Sequence, residues 1–201
     1  MKRKNCFTVA IAGASGAGKS LLANKISEML EDSVEIYYDD YRPNYVNLTR
    51  DLETLRRGQP IKYPKNCRTI KPSKFIVVEE PTGRTRPSMA ENIDLLVYID
   101  LPLDISLARI LLRAIYESND EEIRNFYKTI GPQFEKKYKE PVGRLMHIVV
   151  WLLEMYMKKH RQQYLEMRET LMQDADLIVD GMQSVEALAK EVVEEVRSFH
   201  H

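Results

Sequence analysis

Lys19 and Ser20 close the run Gly13-Ala14-Ser15-Gly16-Ala17-Gly18-Lys19-Ser20, in which no side chain before the lysine is larger than a hydroxymethyl group. Glycine loses the most conformational freedom on ordering, so three of them in eight residues need a reason. The run fills each fixed position of the pattern G-x-x-x-x-G-K-[ST]. A bare backbone lets successive N–H groups close around a polyphosphate, and a helix starting at the lysine adds free amides and the positive end of its dipole. Lys19 reaches the outer phosphates as a point charge, and the hydroxyl of Ser20 is a ligand for Mg²⁺. Residues 13 to 20 therefore predict a cradle for a nucleoside triphosphate.

Two pairs of adjacent carboxylates follow apolar runs, Asp39-Asp40 after "VEIYY" and Glu79-Glu80 after "FIVV". A carboxylate beside the phosphates can orient or deprotonate an incoming hydroxyl, since phosphoryl transfer is mostly positioning and charge stabilisation. One of Asp39 and Asp40 suits that task, the other being a solvated turn residue. Glu79 suits a metal-supporting role, while Glu80 is open between a capping or exposed position and a catalytic one. Arg109 and Arg113 stand four apart on one helix face and could neutralise a moving phosphoryl group. A guanine-reading Asn-Lys-x-Asp does not occur, and Glu80-Pro81-Thr82-Gly83 has the wrong acid for a D-x-x-G switch loop. His147 and His160 belong to no triad or metal set.

These residues need elements to hold them. "FTVAIAG" (7 to 13) reads as a buried strand and "KSLLANKISEMLED" as an amphipathic helix with Leu21, Leu22, Ile26, Met29 and Leu30 at helical spacing. "VEIYY" (34 to 38) is a second strand ending in Asp39 and Asp40, and "TRDLETLRRGQP" a helix closed by Gly58 and Pro60. "IKYPKNCRTIKPS" suits a hairpin at the sheet margin, followed by strands in "KFIVVEE", "IDLLVYID" and "ADLIVDG". A helix is expected from Asp104 to Ile115, then a long helical region to Gln173 interrupted at Gly131-Pro132 and at Pro141 to Gly143. Ser184 is placed as the N-cap of a closing helix. Apolar strands alternating with helices imply a parallel sheet covered on both faces, whose ligands bind beyond the carboxyl ends of the strands.

Composition sets the outer bounds. The chain has 201 residues, 44% of them hydrophobic, and 30 basic against 30 acidic side chains, so no whole-molecule field would draw nucleic acid or an anionic membrane. No segment approaches the roughly 20 apolar residues of a membrane span. Cys6 and Cys67 sit in no metal or redox spacing and are expected to be reduced thiols. The basic start "MKRKNCFTVAIAGASG" reads as a first strand, not a signal peptide, and a cytoplasmic protein is expected.

With these residues assembled, the chain resembles the uridine kinase branch of the uridine kinase and phosphoribulokinase family. "GASGAGKS" resembles that family's phosphate loop, and "YYDDYR" its strand-end Asp with following aromatics. "LETLRRGQPIKYP" resembles the helix and hairpin that cover the nucleoside, "VVEEP" the strand ending in a metal-assisting Glu, and "VYIDLPLDISLARILLRAI" the fourth strand and lid helix. The resemblance implies a three-layer P-loop NTPase fold in one domain, 1–201, with an enlarged helical lid over 114–160. It implies ATP and Mg²⁺ as cofactors, Asp39 as base, Lys19, Arg109 and Arg113 as its catalytic partners, Ser20 and Glu79 at the metal, and Tyr41, Arg42 and Tyr63 near the acceptor. The chain departs from the family in four places. Its hairpin has Tyr63 but no histidine, the Asp-bearing region before the helix is shortened to "NYVNLTRD", Ala114 follows the second lid arginine, and the lid is longer.

The expected activity is transfer of the γ-phosphoryl group of ATP to a small-molecule hydroxyl, a nucleoside first, with a sugar phosphate or a pantothenate-like alcohol as other acceptors. A nucleotide-sensing module that signals through the lid is the rival from another class. Within the lid, "MHIVVWLLEMYM" (146 to 157) is apolar apart from His147 and Glu154. Such a helix is buried on several sides, as core, as a substrate-closing wall or as a homo-oligomer interface.

Overall fold

The computed structural model describes residues 6–116 and 144–199. They fall in two compact units, one made of the described residues up to Leu101 and from Met167 onward, the other of those between Pro102 and Glu166. The first unit is built on five parallel strands, β1 (Phe7–Gly13), β2 (Ser33–Tyr37), β5 (Phe75–Glu79), β6 (Leu95–Asp100) and β7 (Leu177–Asp180), in the order β2-β5-β1-β6-β7. A separate antiparallel hairpin joins β3 (Ile61–Lys62) to β4 (Thr69–Ile70). The central strands are apolar over most of their length because helices cover both faces, with Glu79 and Asp100 only at their carboxyl ends. From Val9 to Ala12 β1 has no exposed surface.

On one face lie α1 (Lys19–Met29) and α7 (Val185–Ser198), which touch each other and the strands beneath them. Leu22, Ala23 and Ile26 of α1 and Leu188, Val192 and Val196 of α7 are buried there. Ser184 caps α7 as expected, its Oγ accepting from the Ala187 amide at 3.2 Å. On the other face, Leu48, Leu52 and Leu55 of α2 (Val46–Arg56) join Ala10, Ala12, Ile36, Ile76, Val78 and Leu96 in one cluster, closed by Met89 of the short α3 (Pro87–Ala90) and by Leu171. Alternate strand residues thus feed opposite layers, which makes the unit a three-layer α/β fold.

The register brings the strand ends to one edge. Ile11 pairs with Glu79, Tyr37 with Glu79, Gly13 with Ile99 and Asp100 with Asp180. β1 lies between β5 and β6: its own connection runs to β2 on one side, whereas β5 connects across it to β6 on the other. Such a reversal of strand order is where α/β sheets bind ligands, beyond the carboxyl ends of the strands. Gly13 and the loop that follows occupy that position.

Three expectations shift. β2 stops at Tyr37, and Asp39 and Asp40 lie in a 3₁₀ turn over Tyr38–Tyr41 instead of ending the strand. α2 starts at Val46, before Thr49. Leu21 and Met29 were expected on the apolar face of α1 but are 61% and 36% exposed, because the helix buries only the stripe through Leu22 and Ile26. Cys6 is buried, which pushes its thiol up to about 11, whereas Cys67 is exposed.

Gly83 follows β5 with φ +56°, and a Cβ there would stand 2.7 Å from Leu171 Cδ2 and 3.0 Å from Leu96 Cδ2, both leucines being fully buried. Gly83→Ala is expected to cost about 1–3 kcal/mol by overpacking and backbone strain, read as a lowered Tm in thermal unfolding.

The second unit contains α4 (Leu103–Tyr116) and α5 (Arg144–Met155), followed by a π-helical turn (Tyr156–His160) that leads into α6 (Arg161–Asp174). α4 and α5 touch, and the Tyr156 hydroxyl donates to the Leu103 carbonyl at 3.2 Å. His147 and Ile148 are buried, but Met146 and Met157 are 52% and 71% exposed, so residues 146 to 157 are not covered all round. Of the lid expected over 114–160, residues 117–143, with the breaks at Gly131-Pro132 and Pro141 to Gly143, lie outside the described residues. Among the described residues no helix is long and apolar enough to cross a membrane.

Candidate active site

The loop from Gly13 to Ser20 begins where β1 ends and finishes inside the first turn of α1. Gly13 has φ +150°, and a Cβ on it would lie 3.2 Å from the Ile99 carbonyl and 3.3 Å from the Ala17 methyl. Only glycine lets the chain turn there against β6. Gly18 has φ +92° with open space above it, so its need is conformational: it is the left-handed N-cap of α1. Between them the Ala17 amide donates to the Ala14 carbonyl at 3.1 Å. Ser184 caps α7 with its own hydroxyl, whereas no side chain caps α1, and its first amides remain directed at the loop.

Lys19 is 8% exposed, and its Nζ donates to the Ala14 carbonyl at 3.0 Å. The same ammonium is 3.8 Å from Glu79 Oε1. Ser20 Oγ donates to Glu79 Oε2 at 2.7 Å. Loop, ammonium, hydroxyl and carboxylate therefore meet at the carboxyl end of β1 and β5. The two oxygens of Ser20 and Glu79 are hard donors, the kind Mg²⁺ takes when it keeps several waters and binds through one carboxylate plus phosphates. The donor set fits that ion.

Beside this group runs the 3₁₀ turn. Asp39 is 67% exposed at its side chain and pairs with Arg42 at 3.0 Å. Asp40 is 11% exposed, accepts from the Tyr63 hydroxyl at 2.6 Å and lies 3.0 Å from Lys65 Nζ. The Tyr63 oxygen also accepts from the Tyr37 amide at 3.1 Å, so the hairpin is pinned to the end of β2. Tyr41 donates to Asp51 at 3.1 Å. Burial, and for Tyr63 the bond to Asp40, raises both phenols above the usual tyrosine range, so they stay protonated donors. Tyr41 and Tyr63, expected near the acceptor, are 3% and 2% exposed; they shape the turn from beneath. Arg42 is exposed at the surface of the turn. Arg109 and Arg113 are exposed residues of α4, in the second unit.

Two arrangements escaped the sequence reading. Glu80 is fully buried, held by Arg86 and by Thr82 at 2.6 Å, so its exposed reading is corrected. Asp100, at the end of β6, takes a two-pronged hydrogen bond from Arg168, both at 2.8 Å. Arg86 lies six residues beyond Glu80, but Arg168 is 68 residues from its partner, and no local pattern announces that pair.

No protein-family profile matches the chain. Proteins curated as uridine kinase do: that of Haemophilus ducreyi is 27% identical over 190 residues, 75% of this chain and 87% of the relative. That of Vibrio vulnificus is 28% identical over 74% and 88%, and that of Klebsiella pneumoniae 29% over 72% and 86%. Among solved structures, shikimate kinases from Aquifex aeolicus and Acinetobacter baumannii align with TM-scores of 0.48 and 0.45 at 15% and 14% identity. The former covers 96% of this chain and 98% of its own, the latter 97% and 95%. At those scores the architecture rests on the strand order itself. A phosphate loop alone says only that a nucleotide binds; joined to a likeness spanning about three quarters of the chain, it makes this protein a P-loop small-molecule kinase that resembles the uridine kinases.

Proposed function

We propose that the protein transfers the γ-phosphoryl group of ATP to a hydroxyl of a nucleoside, in the cytoplasm. The observation that carries this reading is the meeting of Lys19, Ser20 and Glu79 beyond Gly13, with an exposed carboxylate on the adjoining turn. The names of the sequence relatives support a nucleoside as acceptor.

The amides of residues 13 to 20 and the Lys19 ammonium hold the β- and γ-phosphates. Ser20 and Glu79 would hold Mg²⁺, the hydroxyl as ligand and the carboxylate as its support, and the ion would offset charge on the phosphate oxygens. The acceptor oxygen forms the new bond to the γ-phosphorus while the bond to the β,γ-bridging oxygen breaks, and ADP departs. Asp39 orients the hydroxyl and takes its proton, with Arg42 beside it to direct the carboxylate. Tyr41 and Tyr63 secure the turn under the acceptor. Arg109 and Arg113 neutralise charge on the moving phosphoryl group.

The test is ADP release by the full chain with Mg²⁺-ATP and a panel of uridine, cytidine, purine nucleosides, a sugar phosphate and pantothenate. Acceptor-dependent release with a pyrimidine nucleoside is expected. Release only with another alcohol would replace the nucleoside, and release with none would overturn the transferase reading in favour of a nucleotide-sensing module.

A further inference from the structure

Glu79 and Glu80 are neighbours at the end of β5, and successive strand residues face opposite ways. Glu79 turns to Ser20 and Lys19, the nucleotide side. Glu80 turns inward, has no exposed surface, and collects three donors: the Arg86 guanidinium, the Thr82 hydroxyl at 2.6 Å and the Thr82 amide at 3.2 Å. A buried ion pair is a poor way to gain stability, since apolar residues of the same volume do as well or better. Its contacts give a better reason for it.

The Arg86 guanidinium lies 5.8 Å from the centre of the Tyr38 ring, within the range of a cation–π contact. Its Nη1 approaches the Tyr45 carbonyl at 3.5 Å. The Tyr38 and Tyr45 rings are themselves stacked, 4.2 Å apart and 8° from parallel. Asp39 follows Tyr38 directly in the 3₁₀ turn. Its own ion pair with Arg42 comes from that same turn and is exposed, so it cannot anchor the turn to the sheet. Tyr63 and Asp40 fasten one side of the turn. The path from Glu80 through Arg86 to the tyrosine stack fastens the other.

We infer that Glu80, acting through Arg86, is a positioning residue that braces the Tyr38–Tyr45 stack and so sets the place from which Asp39 meets the acceptor. This rests on the assignment of Asp39 made above. Two adjacent glutamates then divide the labour of the site, one at the metal and one behind the base.

Hydrogen exchange followed by mass spectrometry, together with steady-state kinetics, tests it on the full chain carrying Glu80→Gln. Amides of residues 38 to 45 are expected to exchange about tenfold faster, with those of the 13 to 20 loop unchanged. The value of kcat should fall about 10- to 100-fold, as for a base displaced by a fraction of an ångström, while KM for ATP holds. Arg86→Lys, which keeps a cation over the ring, should retain more kcat than Arg86→Gln. Tyr38→Leu leaves the Glu80–Arg86 pair intact and should reproduce the loss, so the inference stays testable should Glu80→Gln fail to fold. Unchanged exchange at 38 to 45 in a folded Glu80→Gln, KM for ATP rising in step with the fall in kcat, or wild-type kcat in Tyr38→Leu overturns it. If exchange responds as expected but no acceptor supports turnover by the wild type, the brace stands and the transferase reading falls.

Discussion

Replacing Lys19 with alanine should lower kcat by about 10²- to 10³-fold, the scale seen when one charge-stabilising donor is removed from a water-poor site. The expectation follows from where the ammonium is held. It is 8% exposed and already fixed by the Ala14 carbonyl at 3.0 Å, so its charge is delivered to the loop without a conformational search. Without it, Glu79 loses the cation 3.8 Å away and would face incoming phosphates as an uncompensated anion. Calorimetry with Mg²⁺-ATP should show weakened association, and ADP release in the presence of acceptor should show the larger loss. A purely structural lysine would behave otherwise: Tm would fall, and the remaining folded fraction would turn over at the wild-type rate. That result would remove the phosphate-loop reading.

The strands were legible because they are buried on both faces. "FTVAIAG" becomes β1 without a residue's shift, and β5 and β6 follow the same logic. The loop was legible because sterics and charge leave little freedom in which residues can surround a polyphosphate. Polar and aromatic residues of the 3₁₀ turn and the hairpin were harder, since their roles depend on partners far away in the chain. Asp39 and Asp40 are identical in type and adjacent, yet one is exposed beside Arg42 and the other is partly buried under a phenol 23 residues away. Glu79 and Glu80 differ only by the alternation of a strand, and the burial of Glu80 depends on Arg86 arriving from the following turn. Leu21 and Leu22 differ in the same way on α1: a one-residue step of 100° decides which meets the sheet. Periodicity finds a helix more readily than it finds which edge of its apolar face will be covered.

That difference between the aspartates makes the second large effect discriminating. Asp39→Asn is expected to lower kcat about 10²- to 10⁴-fold, the range assigned to a positioned general base, with association of Mg²⁺-ATP unchanged. The amide keeps the shape of the carboxylate and can still face Arg42, but it cannot take the acceptor's proton. Asp40→Asn should act on another quantity. Its amide oxygen can still accept from the Tyr63 hydroxyl, and the ion pair it gives up, with a Lys65 that is 66% exposed, is weak. A stability loss of about 1 kcal/mol and a modest change in kcat are expected there. The two variants differ by one residue in position and not at all in chemistry, so differences in global charge cancel between them. Should Asp40→Asn lose turnover while Asp39→Asn keeps it, both retaining the wild-type Tm, the base must be the carboxylate under Tyr63, and its proton would then be shared along a phenol that burial already keeps protonated.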